Sequence, residues 1–396
     1  MKYQNLISGF FVVATGAGSV GQSAQAQDNP IEFNAEAVFL GRLIDENNSS
    51  ESQPFATQFG VGIEKKHYFD NGMSLGFVGE IRGQIDNETR QGFAGHLQFD
   101  SNELAENSDF TGIRAPSTGL SVSSNEVDYG PYGSLEQAFL YLKSGWGELS
   151  VGRDIGAAAR LDARPPRVMQ FGSPNSSRLN ATSSSIVRSR NDVTGPSTKI
   201  TYMSPRLLGF RAGASYTPKA NAKGVDFSSS VNTAGVKNAN LEDVYEAGLS
   251  FSHLFRDQDF RIRLGLTGIN ATSSSANSRF GDYAAIGGGA EFEKGDWKLG
   301  GRYIDADNAI ESENANYRAW EIGLTREIND WVVGAEFGSA KDKLLDISGE
   351  NFSLGVSKPL NKFVDIGVSY ISSKTEFFNQ EIEGNGAVFE LIVRYE

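Results

Sequence analysis

Cysteine is absent from the 396 residues, which excludes a disulfide scaffold and thiolate metal sites. Histidine is almost absent: His67, His96 and His253 are too scattered to form a metal triad at any recognisable spacing. Past the N-terminus no run of about eighteen apolar residues occurs, so no helical membrane span is expected. From Gln27 onward there is also no helical stripe of period 3.6. Basic residues are in the minority, 36 Lys and Arg against 49 Asp and Glu, a net charge of −13 that argues against nucleic acid as a partner. None of these absences speaks against a membrane β-barrel, whose strands need only about ten residues with one apolar face.

The first 26 residues read as a secretory signal. Lys2 is the positive start, LISGFFVVATGAG the apolar middle, and Ala24-Gln-Ala26 the small-residue cleavage site. Its removal leaves Gln27–Glu396 and takes the net charge from −13 to −14. The rest of the chain alternates with period two. Val244–Leu254 sets Tyr245, Ala247, Leu249 and Phe251 against Glu246, Gly248, Ser250 and Ser252. Phe260–Gly268 sets Phe260, Ile262, Leu264 and Leu266 against Arg261, Arg263, Gly265 and Thr267. One face suits hydrocarbon and the other water.

Sixteen such runs are expected near 31–44, 55–66, 73–86, 135–143, 148–154, 198–204, 209–218, 243–254, 260–270, 282–292, 297–305, 317–326, 331–340, 351–358, 363–374 and 386–395. The stretch 92–100 reads as part of a long loop. Connections alternate between short (144–147, 255–259, 293–296, 327–330) and long (219–241, 271–282, 306–316, 341–350, 375–384). That rhythm fits an outer-membrane barrel better than a soluble sandwich. Aromatic residues gather at the short turns: Tyr68, Trp146, Phe255 with Phe260, Trp297, Trp331 and Phe363, with Tyr395 next to the C-terminus. An interfacial girdle explains them. The fold expected is therefore all-β, a 16-stranded antiparallel transmembrane barrel wide enough to hold water.

The hairpin EQAFLYLKSGWGELSVGRD (136–154), followed by STKITYMSPRLLGFRAGASYTP (197–218), resembles consecutive hairpins of the general diffusion porins of Gram-negative outer membranes. The resemblance extends over essentially Gln27–Glu396. It implies that the loop between the hairpins, about 155–197, folds into the barrel as a constriction. It also implies a homotrimer held in outer-membrane lipid and lipopolysaccharide, with a second loop latching onto a neighbour; by position that loop is Asn87–Gly133. Members usually end on an aromatic residue, whereas here Tyr395 is followed by Glu396.

The inferred channel wall carries Arg42, Glu80, Arg82, Arg153, Arg211, Arg261, Arg263, Lys298 and Arg302, with further acids at Glu36, Glu64, Glu246 and Asp365. The resemblance implies an acidic loop facing such a wall, yet this loop is basic. Asp154, Asp162 and Asp192 are set against Arg160, Arg164, Arg167, Arg178, Arg188 and Arg190. Either these arginines face the lumen and favour anions, or several pin the loop to acidic wall positions and the field is mixed. The mixed arrangement is the favoured one. The acidic excess is placed mostly on outer loops such as Asp45–Glu51 and Glu103–Asp109.

Catalysis finds no support. His253 lies on an apolar strand face beside a short turn, which suits an interfacial residue better than the base of a Ser-His-acid hydrolase. The serine runs at 183–185, 228–230 and 273–275 are loop signals, and Gly287–Gly289 sit mid-strand with no helix to make a phosphate cradle. No enzyme activity, metal or cofactor is expected. The function expected is passive diffusion of small hydrophilic solutes and ions. A substrate- or anion-selective channel with an arginine-lined constriction is the alternative, and an adhesive barrel, with longer loops and a plugged lumen, comes third.

Overall fold

Period-two alternation becomes a closed ring of strands: β1 (Glu32–Glu46), β2 (Phe55–Tyr68), β3 (Ser74–Ile85), β4 (Tyr132–Ser144), β5 (Gly147–Asp154), β6 (Ser197–Met203), β7 (Phe210–Lys219) and β8 (Leu241–Phe255), then β9 (Phe260–Ser273), β10 (Tyr283–Lys294), β11 (Trp297–Ala306), β12 (Tyr317–Ile328), β13 (Trp331–Asp342), β14 (Ile347–Asn361), β15 (Val364–Phe377) and β16 (Gln380–Tyr395). Each pairs antiparallel with its sequence neighbour, and β16 returns to β1 in a ladder running from Ala35↔Tyr395 to Glu46↔Gly384. Closure leaves no strand edge, which lipid could not hydrogen-bond. The computed structural model describes residues 31–47, 54–86, 90–98, 112–123, 130–175, 179, 181–182, 184–220, 226, 236–274, 280–310, 315–377 and 380–396. The expected signal segment 1–26, the acidic stretch Glu103–Asp109, residues 48–51 and Arg178 lie outside them.

The faces are inverted relative to a soluble protein. On β12, Tyr317, Ala319, Glu321, Gly323 and Thr325 are buried, whereas Trp320, Ile322 and Leu324 are exposed on the outside. At the short-turn end the exposed rings of Tyr68, Trp146, Trp297, Trp331, Phe363 and Tyr395 form one belt. Half-buried Phe260 joins it, stacked 5.9 Å from Phe255 and 6.2 Å from Phe292. His253 sits among these rings, 4.4 Å from Phe255. Cations lie over the belt: Arg326 over Trp297 at 4.9 Å, Lys358 over Trp331 at 5.2 Å and Lys362 over Phe363 at 4.5 Å. A second set of rings, Tyr216 with Tyr245 at 5.2 Å and Trp320 with Phe337 at 5.3 Å, marks the opposite side.

Two connections expected to be long are short. β13 and β14 are separated by 343–346 only, and β15 and β16 by 378–379 only. The strands continue beyond their apolar stretches, where outward positions are charged and alternation of hydropathy stops. Lys374 there pairs with Glu376 and with Glu381, both at 2.9 Å. The hairpin at Asn329-Asp330 places both residues at positive φ, 49° and 67°, as a two-residue turn matched to strand twist requires.

Of the segment expected to latch onto a neighbour, Asn87–Gly133, the described parts pack onto the chain's own barrel, and residues 87–89, 99–111 and 124–129 lie outside the described residues. Its described parts, 90–98 and 112–123, place Phe93, Leu97, Ile113, Leu120 and Val122 at 3% exposure or less. Leu97, Ile113, Leu120 and Val122 pack with Ile186 and Val187 and with wall residues such as Tyr317, Ala340 and Ile347. Within 92–100 the residues His96–Gln98 are extended, but outside the barrel wall. They join a small sheet in the order Lys237–Asn238, Ile113–Arg114, Ser121–Ser123, His96–Gln98. Returning five large apolar side chains to water costs ~1.5–3 kcal/mol each. That burial, set against the conformational entropy of ordering the segment, favours the packed arrangement over an exposed one.

Inward glycines give the constriction loop its bed. A Cβ at Gly289 would fall onto the Ala163 carbonyl oxygen, and one at Gly323 onto that of Pro166. Gly248, Gly265 and Gly300 likewise face Leu161, Ala163 and Pro165. Gly323→Val should therefore lower stability by about 1–3 kcal/mol through overpacking, read as an earlier unfolding midpoint in detergent. Gly145→Ala, where the added atom meets open space, should leave the midpoint unchanged.

Candidate functional site

The loop 155–196 leaves β5 at Asp154, whose Oδ1 accepts the Ile155 amide at 2.7 Å and the Gln137 side-chain amide at 3.1 Å. A single helical turn follows, α1 (Ala157–Leu161). Its first amides find partners on the wall: Ala157 N–H donates to Ser215 Oγ at 2.9 Å, and Ala158 N–H to Glu246 Oε2 at 3.2 Å. Glu246 also takes the end of the loop, accepting Thr194 Oγ1 at 2.5 Å with Lys199 Nζ at 3.6 Å. One buried carboxylate thus closes the loop upon itself.

Further wall acids continue the same pattern around the ring. Glu148 accepts Arg160 at 3.3 Å; Arg160 also pairs with Asp154 and lies 5.7 Å from the Phe139 ring centre. Glu321 accepts Arg167 at 2.8 Å and Arg302 at 2.5 Å. Arg302 in turn holds Asp162 at 2.8 Å and Ser189 Oγ at 2.9 Å. Glu336 receives the Val168 amide at 3.3 Å and Ser173 Oγ at 2.6 Å. Glu390 receives the amides of Gln170, Phe171 and Gly172 at 3.0, 2.6 and 2.8 Å. On the way back, Tyr317 Oη accepts the Arg188 amide at 2.9 Å, Asn351 donates to Ser185 Oγ at 2.7 Å, and Arg188 and Arg190 share Asp192. Burial pushes the Asp162 carboxyl up against the pull of Arg302, and burial lowers the Arg160 guanidinium.

This is an acidic wall holding a basic loop. Among the described loop arginines, Arg164 is the exposed one, while Arg160, Arg167, Arg188 and Arg190 each face a carboxylate. Arg164 borders a cavity of about 470 Å³ with Glu148, Arg160, Asp162, Met203 and Arg211.

The wall residues read from the sequence fare differently from one another. Glu80 and Arg82 point inward and pair at 2.6 Å. Arg261 pairs with Glu293 at 3.2 Å; Arg263 pairs with Glu291 and lies 3.6 Å from Glu293. Arg211 donates to the Ser204 carbonyl at 3.1 Å. Lys298 lies on the inward face of β11, in step with Gly300 and Arg302. Arg42 is buried 3.5 Å from Asp86, and Arg302, 6% exposed, anchors the loop. Arg153 is a correction: it is not on the pore wall. It shares the outward face with exposed Leu149 and Val151, pairs across the strands with Ala138 and Thr198, and donates to the Leu135 carbonyl. Period two from Leu149 fixes that direction. Sequence reading missed Glu148, Glu321, Glu336 and Glu390. Their signal was available as inward parity on β5, β12, β13 and β16.

The sequence matches the model of a Gram-negative porin family over residues 12–376. No curated protein matches it. Among solved structures, the fold resembles Salmonella typhi OmpF in complex with daunomycin (TM-score 0.58, 11% identity, covering 93% of this chain and 98% of that one). It also resembles the anion-selective porin from Comamonas acidovorans (0.52, 13%, 92% and 99%) and the trimer form of in-vitro folded OmpT, an outer membrane protein of Vibrio cholerae (0.51, 11%, 92% and 99%). A closed sixteen-stranded ring with a polar interior, crossed by a loop docked on its inner wall, passes small hydrophilic solutes and ions by diffusion. By family model and fold together, the chain belongs to the Gram-negative porins.

Proposed function

We propose that this porin is a weakly selective diffusion channel of mixed charge, exported by its N-terminal signal and seated in outer-membrane lipid and lipopolysaccharide, with no catalytic step. The observations supporting the selectivity are that Arg160, Arg167, Arg188 and Arg190 each stand beside a carboxylate, drawn from Glu148, Asp154, Glu321, Glu336 and Asp192, and that Arg164 is exposed beside the cavity. Charges acting across a short aqueous gap set ion preference, and paired ones contribute little field there.

A homotrimer is supported by Arg153. Facing lipid from within the apolar band, an arginine costs ~2–4 kcal/mol at the bilayer midplane. The outward row Gly79, Ala138, Arg153 and Thr198 is small or polar, suited to a second copy of the chain rather than to acyl chains.

Reversal potentials of the purified protein in planar bilayers under a salt gradient test the selectivity. Near-neutral selectivity is expected, Arg164→Ala should move the potential toward cations, and absence of any shift would make Arg164 irrelevant to permeation. Glu246→Ala, which strips a buried anchor, should cost about 3–5 kcal/mol in unfolding experiments. It should also broaden single-channel conductance as the loop loosens. Arg153→Leu should lower the temperature at which the oligomer dissociates in SDS gels without impairing barrel folding; an unchanged dissociation temperature would remove this face from the interface.

A further inference from the structure

Residues 90–98 and 112–123 cross the outer mouth from one wall to the opposite one. The near end is fixed at β3, where Asp86 stands 3.5 Å from Arg42 and 3.3 Å from Arg90, and Arg90 Nε donates to the Phe93 carbonyl at 2.6 Å. The far end is fixed just past β11, at Asn308, and at the last residue of β13, Asp342. There the Ser117 amide donates to Asn308 Oδ1 at 3.1 Å, and Thr118 Oγ1 to Asp342 Oδ2 at 3.2 Å. Asn308 and Asp342 are themselves joined at 2.8 Å. In a ring of sixteen, β3 and β11 lie opposite each other, so the segment spans a diameter.

Its middle rests on the constriction loop. The Phe93 amide donates to the Ser185 carbonyl at 2.8 Å, and the Arg188 guanidinium lies 4.4 Å from the Phe93 ring centre. A third loop braces it from the side: Lys237–Asn238 runs parallel to Ile113–Arg114, with the Lys237 amide donating to the Gly112 carbonyl at 2.7 Å.

We infer that residues 90–98 and 112–123 are a second filter, stacked on the eyelet, and that they limit the size of solute entering from the long-loop side. The inference rests on the channel reading. A solute passing between this bridge and the wall meets a narrowed aperture before it reaches Arg164 and the cavity beneath. Arg114 is the partly exposed cation of the bridge, with one guanidinium nitrogen donating to the Gly119 carbonyl at 2.7 Å.

The test is to replace 112–123 by a five-residue Gly-Ser linker, leaving 155–196 intact, and to record single-channel conductance and the largest polyethylene glycol that enters the pore. At least a two-fold rise in conductance and entry of larger polymers are expected. Unchanged values in a folded, conducting variant would overturn the filter, whereas absence of conductance from the unmodified protein would sink the channel reading instead. A second variant covers the case in which the replacement does not fold. Because the chain has no cysteine, Arg114→Cys gives a single thiol. Attaching a bulky cationic thiosulfonate reagent there should lower the conductance. Complete labelling with no change in current would also overturn the inference.

Discussion

Glu246 holds the pore in its working shape. Its carboxylate, buried in the wall, accepts a hydrogen bond near the start of the constriction loop and another near its end, 36 residues apart at Ala158 and Thr194. Lys199 completes the site at 3.6 Å. A loop of this length has no internal ladder to satisfy its amides, and buried backbone groups left unpaired are costly. The wall therefore supplies the acceptors, with Glu336 and Glu390 doing for the middle of the loop what Glu246 does for its ends.

Under the proposed mixed-charge function, the same pairing lets a basic segment lie in a channel without making it an anion trap. Arginine is the natural partner for such a wall because its planar fork serves two acceptors at once. Arg302 and Arg167 meet at Glu321, so wall and loop are joined by shared carboxylates rather than by isolated pairs. Removing one member would leave a buried charge uncompensated, which explains why the loop behaves as part of the barrel rather than as a surface excursion. The bridge 90–98 and 112–123 adds a second layer, and its apolar underside gives the interior a hydrophobic core that a plain water-filled cylinder lacks.

Much of this was legible in the residues. Tyr245, Ala247, Leu249 and Phe251 against Glu246, Gly248 and Ser250 gave β8 its faces, and the same alternation located all sixteen strands, most of them to within a few residues, with the start of the last one six residues late. The inward direction of the loop 155–196 followed from its resemblance to porin hairpins. Strand ends were harder, since Lys374 and Glu381 pair in a ladder whose outward side chains no longer need lipid. Arg153 was misplaced although its parity with Leu149 and Val151 was visible. The destination of 90–98 and 112–123 was not visible at all, because Phe93 and Leu120 carry no mark of the surface they will cover.

The sequence by itself determined the class of fold, the inside and outside of each strand, and the aromatic belt at the short turns. These depend on a period of two and on local turn chemistry, and both are written in neighbouring residues. Tertiary structure alone decided which charges cancel, which glycines bed the loop, and which loops enter the mouth. Those choices join residues as far apart as Gln170 and Glu390, 220 positions along the chain, and the Gly323 backbone to Pro166. Such pairings are set by where the closed ring brings its strands, a distance that no local pattern encodes.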